Sequence, residues 1–187
     1  MIVIIIVTFY IYRKYDYNYF SKGILEKGRT EFLRDSNVKY SKDRSYKIEN
    51  KVSNDAMFYR EVTVRKNTLY RVTCMVRTEN VVGNENDTMA GAQICLNETD
   101  EHSNVVQGNT NWTKIEFLFN SKNNEKVEIG FRLGGISNTA EGTAWFSDFT
   151  IEEGSTDESN IWNFGVFLID NVNATIEGKI QNYSMTR

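Results

Sequence analysis

Asp148 is where chemistry concentrates in this chain. It lies in the stretch 141–154, EGTAWFSDFTIEEG, where apolar and polar residues alternate and aromatic side chains flank the acid. A carboxylate among aromatics is costly to bury unless something binds it. The binder is a hydrogen-bond network, a basic side chain or a metal ion. Four long polar residues, Arg77, Gln93, Glu128 and Arg132, also interrupt apolar alternating stretches. There they would present planar hydrogen-bonding groups from the surface of a sheet. Nucleophilic and zinc chemistry are poorly provided for. The chain has one histidine, His102, and two cysteines, Cys74 and Cys95, too few for an ordinary zinc site. His102 sits in the polar run Asp-Glu-His-Ser-Asn and reads as a solvated loop residue. If a metal is bound, the oxygen-rich composition favours a hard ion such as Ca²⁺.

The elements that must position these residues are strands. The 187 residues are 40% apolar and 25% charged, enough for one packed domain with additions. The net charge of −3 is not gathered into a basic face, which disfavours nucleic acid as a partner. After residue 22 the pattern has period two, and the spacing predicts strands over 31–34, 46–50, 57–64, 69–78, 91–97, 112–120, 127–133 and 143–152. With no amphipathic helix among them, this is an all-β antiparallel β-sandwich or jelly roll.

Alternation assigns the faces. Tyr70, Val72, Cys74 and Val76 point into the core, opposite Arg71, Thr73, Met75 and Arg77. Val127, Ile129, Phe131 and Leu133 oppose Glu128, Gly130 and Arg132. Ala92, Ile94 and Leu96 oppose Gly91, Gln93 and Cys95, and Ile115, Phe117 and Phe119 form a further core set. Cys74 and Cys95 therefore fall on different faces, and no disulfide is expected between them. The outer faces mix glycine with long polar side chains. Mid-strand glycines lower the floor of a sheet, so a shallow groove is expected if these strands share one sheet; the alternative is a solvated face of paired Arg and Glu.

At the front, residues 2–12 form an unbroken apolar run ending at Arg13 and Lys14. It is shorter than the roughly 20 residues of a full span, and reads as the end of a transmembrane or signal-anchor helix over 1–14; a signal-peptide core or a buried strand is the alternative. Tyr15, Tyr17, Tyr19 and Phe20 follow it and suit a membrane interface. Beyond Gly154 a polar stretch reads as a linker, and a new apolar run from Trp162 to Ile169 reads as the start of a further domain or a strand docking on the sandwich, so that 155–187 stand apart from the body over 20–154.

Several stretches resemble one family, the jelly-roll carbohydrate-binding modules of families 4, 9 and 22, the type appended to bacterial xylanases and cellulases. Phe20-Ser-Lys-Gly-Ile-Leu-Glu-Lys-Gly28 resembles their opening segment, and Ser45-Tyr-Lys-Ile48 an early strand. The run from Val62 to Thr78 resembles their hairpin, Asn111-Trp112-Thr113 through Phe119 a following strand, and Gly142-Thr-Ala-Trp-Phe-Ser-Asp148 the closing strand. The resemblance covers about residues 20–153 and implies a galactose-binding-like fold with a structural Ca²⁺ held by Glu26 and Asp148. The closing motif departs from the family in carrying Ser147 where the family has an acid. The resemblance also implies a glycan bound by Arg77, Gln93, Glu128 and Arg132, with Trp112 and Trp145 packed internally; the family's sugar recognition uses aromatic platforms, and this sequence places no flat aromatic on the same faces.

The function expected is a non-catalytic carbohydrate-binding module on a membrane-anchored surface protein, its domain extracellular and its partner a polysaccharide. A structural or interaction domain accessory to a larger anchored enzyme is the alternative. A glycoside hydrolase would need two carboxylates at a set separation, and the sequence singles out no such pair.

Overall fold

The computed structural model describes residues 20–154. The segments expected at 1–14 and 155–187 lie outside the described residues. Among the described residues no helix is long and apolar enough to cross a membrane.

The described chain runs β1 (Ser21–Ile24), β2 (Thr30–Asp35), β3 (Ser45–Asn54), β4 (Ala56–Thr63), β5 (Leu69–Gly83), a single 3₁₀ turn (Asn84–Asn86), β6 (Gly91–Leu96), β7 (Gly108–Asn120), β8 (Lys126–Gly134) and β9 (Ala140–Glu153). All eight expected strands are present, and most run longer than their alternation suggested. β1 is an addition, a short edge strand, Ser-Lys-Gly-Ile, with too little alternation to read. The strands form two antiparallel sheets, one in the order β1-β4-β8-β6 and one in the order β2-β3-β9-β5-β7. The second carries the long ladders of β5 with β7 and with β9.

The sheets close on each other because one face of nearly every strand is apolar. Phe131 of β8 lies at the centre, stacked on Phe146 of β9 with ring centroids 4.9 Å apart and planes 13° from parallel. Phe20, Tyr46 and Phe58 surround it at 4.7, 5.2 and 6.0 Å. The expected core faces of β5, β6, β7 and β8 are all buried here. One polar side chain crosses the core. The Asn50 amide nitrogen lies within hydrogen-bond distance of the carbonyls of Asn54, Leu133 and Ala140, and the Asn50 carbonyl accepts from the Thr30 hydroxyl at 2.6 Å. Asn50 thus ties β3 and β9 of one sheet to β8 of the other.

Both cysteines are buried and free, Cys74 facing the core from β5 and Cys95 facing outward from β6, as the alternation assigned them. The free edge of β6 is not bare. Residues 101–106 run antiparallel along it, with bridges Ala92↔Val106 and Cys95↔His102, so the four-stranded sheet gains an irregular fifth margin.

Candidate functional site

Three buried side chains, Met57, Cys95 and Trp145, are not part of the inter-sheet core. They lie on outer faces, where burial requires loops or neighbouring side chains to cover them, and they mark the two surfaces on which a ligand would sit.

The first is the outer face of the four-stranded sheet. Strand register builds it in rows. Gly23, Met57, Arg132 and Gln93 face one another across β1, β4, β8 and β6. In the next row stand Ser21, Tyr59, Gly130 and Cys95. The row after that pairs Glu61 with Glu128. These two like charges are offset locally. Lys126 Nζ is 2.7 Å from Glu61, and the Asn97 side-chain amide donates to Glu128 Oε2 at 2.7 Å.

Arg132 is only 8% exposed and donates from Nε and Nη2 to both carboxylate oxygens of Asp55. Burial, the largest single influence, pulls its pKa down. The hydrogen bonds and charge of Asp55, with Cys95 adding, outweigh it, and the guanidinium stays above its ordinary value. Burial pushes the Cys95 thiol up to about 11 despite the opposing charge of Arg132, so it is a neutral thiol at physiological pH. Gln93, 2% exposed, donates from Nε2 to the Gly134 carbonyl at 2.6 Å.

Above Gln93, Cys95 and Arg132 the loops leave a cup of about 330 Å³, walled by Met89, Asp100, His102 and Ile136 among others. Its size falls near the lower end of small-ligand sites, about 300–1,000 Å³. His102 is half-buried in this wall, not a solvated loop residue, because its segment pairs with β6. Its Nδ1 lies 2.6 Å from the Ser103 carbonyl, a contact in which Nδ1 is the donor.

Tyr59 lies two strand spacings from Cys95, about 10 Å, and is half-buried on the same face. It supplies on this face the flat aromatic that the sequence motifs lack. Alternation along β4 would have found it, since Phe58 points inward and Met57, Tyr59 and Glu61 point outward. The glycines need a different explanation from the expected one. A Cβ on Gly130 would come within 1.8 Å of the Phe58 carbonyl oxygen, and one on Gly91 within 2.8 Å of the Val106 carbonyl oxygen. Both are required by close approach of neighbouring protein backbone, and neither opens the floor to a ligand.

The expected glycan set is divided. Gln93, Glu128 and Arg132 share this face, with Glu128 exposed and the other two forming the floor. Arg77 is on β5, on the outer face of the other sheet. The condition that these strands share one sheet fails because β5 pairs with β7 and β9, whereas β6 pairs with β8.

The second surface centres on Trp145. It is 5% exposed and lies outside the five-stranded sheet, not between the sheets. Lys47 Nζ is 5.9 Å and the Arg77 guanidinium carbon 5.5 Å from its ring centre, one from each neighbouring strand. The indole Nε1–H donates to Asp35 Oδ2 at 2.9 Å. Trp112, expected to be internal, is half-buried on the same outer face, with Tyr40 5.8 Å away between ring centroids.

The proposed metal pair does not assemble. The Glu26 backbone N–H donates to Asn54 Oδ1, and Asn54 pairs with Ala140 at the start of β9. Asp148 lies eight residues further along that strand, about 26 Å at strand rise. Glu26 is ion-paired with Arg29 at 2.9 Å. Asp148 accepts hydroxyl hydrogen bonds from Ser41 at 2.5 Å and Ser147 at 3.1 Å, in a bulge with φ +53°. Ca²⁺ wants six to eight oxygens about one point, and these two carboxylates cannot share one ion. Among the described residues no cluster of three or more His, Cys, Asp or Glu side chains is placed to hold a metal. Asp148 is a hydrogen-bonded carboxylate.

No family model matches the chain, and no curated protein matches it. The solved structures it is similar to are mostly carbohydrate-binding modules. It is similar to the enzymatically active domain of tailspike protein 4 of bacteriophage CBA120, with 10% identity, 73% of this chain and 19% of that one covered, and a TM-score of 0.53. It is similar to an arabinose-bound family 51 α-L-arabinofuranosidase, with 12% identity, 72% and 23% covered, and a TM-score of 0.50. The chain thus spans about a fifth of the length of each. A family 61 carbohydrate-binding module in complex with β-1,4-galactotriose is matched at 15% identity over 75% of this chain and 92% of that one, with a TM-score of 0.48. At these identities the likeness is one of fold.

Proposed function

We propose that residues 20–154 form a non-catalytic carbohydrate-binding domain and that the glycan lies across the outer face of the four-stranded sheet. One observation carries this reading: a half-buried Tyr59 ring shares that face with a polar-floored cup about two strands away. Tyr59 offers an apolar plane to the C–H face of a pyranose. Glu61 and Glu128 form the next row of the same face, with Asn97 hydrogen-bonded to Glu128, where they would meet ring hydroxyls, and the cup would receive the next residue of the chain. Arg132 and Gln93 shape the floor. The Nε and Nη2 bonds of Arg132 to Asp55 and the Nε2 bond of Gln93 to the Gly134 carbonyl fix both side chains in place, so they act as positioning residues.

Within this proposal Glu61 and Glu128 are sugar-binding acceptors. Both are exposed and each already has a cationic or amide partner, which is poor insulation for acid–base work. The apolar run 2–12 supports a membrane tether, and display of the domain outside the cell rests on the resemblance to carbohydrate-binding modules alone. Calcium has no support from the Glu26–Asp148 pair and is not part of this proposal. The test is calorimetric titration of the full chain with β-1,4-galactotriose, arabino-oligosaccharides and xylohexaose, sugars of the kind bound in structurally similar proteins. Binding that Tyr59→Ala abolishes, with no release of reducing ends, is the expected result. A folded protein that binds none of them would end the proposal.

A further inference from the structure

The outer face of the five-stranded sheet carries its own set of aromatic and planar polar side chains, and Arg77 belongs to it. Trp145 forms the base, buried between Lys47 and Arg77. Both cations are offset within the face: Lys47 Nζ lies 2.5 Å from Glu49, and Arg77 Nη2 lies 2.7 Å from Glu79. Beside Arg77 opens a hollow of about 400 Å³ lined by polar residues, including Glu79, Asn109 and Asn111.

The hollow exists because the β5–β7 ladder slips register between Val76 and Thr78, and again between Thr78 and Val81. The strands part there, and the bulge is held by Asn80 in the left-handed region, φ +52°, whose N–H donates to Asn109 Oδ1 at 2.8 Å. Next to Asn111 in the chain stands Trp112, half-buried against Tyr40, which is 51% exposed. Ring surface left in water beside a hollow of amides and a guanidinium–carboxylate pair is the combination that a polyol needs. The rings take C–H faces, and the planar groups take adjacent hydroxyls. An anionic polymer would need uncompensated positive charge, and an apolar protein surface would leave the amides unpaired.

We infer that this face is a second glycan-binding site, for a neutral oligosaccharide, with Trp112 and Tyr40 as its aromatic wall and Arg77, Glu79, Asn109 and Asn111 as its polar set. The inference rests on the proposed function in taking sugar as the ligand class. The two sites lie on opposite sides of the sandwich, so one domain would hold two polysaccharide chains and cross-link them.

The test uses the full chain titrated with xylohexaose, β-1,4-galactotriose and arabino-oligosaccharides, and mixed with the parent soluble polysaccharides while turbidity is followed. The expected stoichiometry is two. Trp112→Ala should reduce it to one, weaken the affected site by roughly tenfold or more, and abolish cross-linking, while Tyr59→Ala removes the other site. Asn111→Ala, an exposed substitution, should weaken the same site as Trp112→Ala without lowering the melting temperature, which separates loss of contact from loss of fold. Stoichiometry of one that is insensitive to Trp112→Ala but lost in Tyr59→Ala would overturn this site and leave the first standing. Absence of all binding would overturn both.

Discussion

Asp35 anchors the aromatic face of the five-stranded sheet. Its carboxylate accepts from the Trp145 indole and from the backbone N–H groups of Asn37 and Val38. Burial alone would raise its pKa. The hydrogen bonds, from Trp145 first, and the charge of Lys47 more than offset that, and the folded-state value lies below the ordinary 3.8. A depressed folded value means that the unfolded chain binds the proton more readily. This stabilisation is therefore complete above the unfolded pKa, about 4, and is lost as pH falls through the lower folded value. Urea midpoints measured at descending pH should show an acid-labile component in the wild type that Asp35→Asn lacks. Trp145→Phe removes a bond to a charged acceptor and should cost about 2 kcal/mol. The Asp55–Arg132 pair, with side chains 18% and 10% exposed, is more demanding. Asp55→Ala leaves a buried guanidinium uncompensated and should cost about 3 kcal/mol in chemical denaturation.

Among the elements, β4, β8 and β9 decide most. At Gly130 the β4 backbone comes so close that a Cβ would overlap the Phe58 carbonyl. Gly130→Ala should therefore lower the melting temperature sharply, by the equivalent of about 3 kcal/mol, or prevent soluble expression. Period-two alternation was enough to locate eight strands and to assign the faces of β5, β6, β7 and β8, because half-burial writes itself into adjacent residues. It could not say which strands are neighbours. That depends on pairings such as Arg77↔Trp145 and Gln93↔Arg132, which join residues tens of positions apart. Hence alternation alone does not separate Arg77 from Gln93, Glu128 and Arg132 of the other sheet. Trp145 was assigned inward by family likeness, although Ala144 and Phe146 on either side of it are the core-facing residues. Tyr59 is legible in the alternation of β4, where Phe58 faces the core.

At the scale of the whole molecule, two sheets share one aromatic core, tied across by the Asn50 amide. Each sheet turns a chemically equipped face outward. The closing strand is held by this packing and by the hydroxyl partners of Asp148, so an ion joining Glu26 to Asp148 is not needed. Excess EDTA should leave the melting temperature of the full chain unchanged, and a drop restored by added Ca²⁺ would contradict that. The central claim is that the face bearing Tyr59 binds a glycan. Residue-resolved NMR of the full chain, titrated with xylohexaose, β-1,4-galactotriose and arabino-oligosaccharides, tests it most directly. Saturable shifts are expected at Tyr59, Glu61, Asn97 and Glu128, and they should disappear in Tyr59→Ala. A folded protein whose resonances on that face stay fixed with every one of these sugars would contradict it.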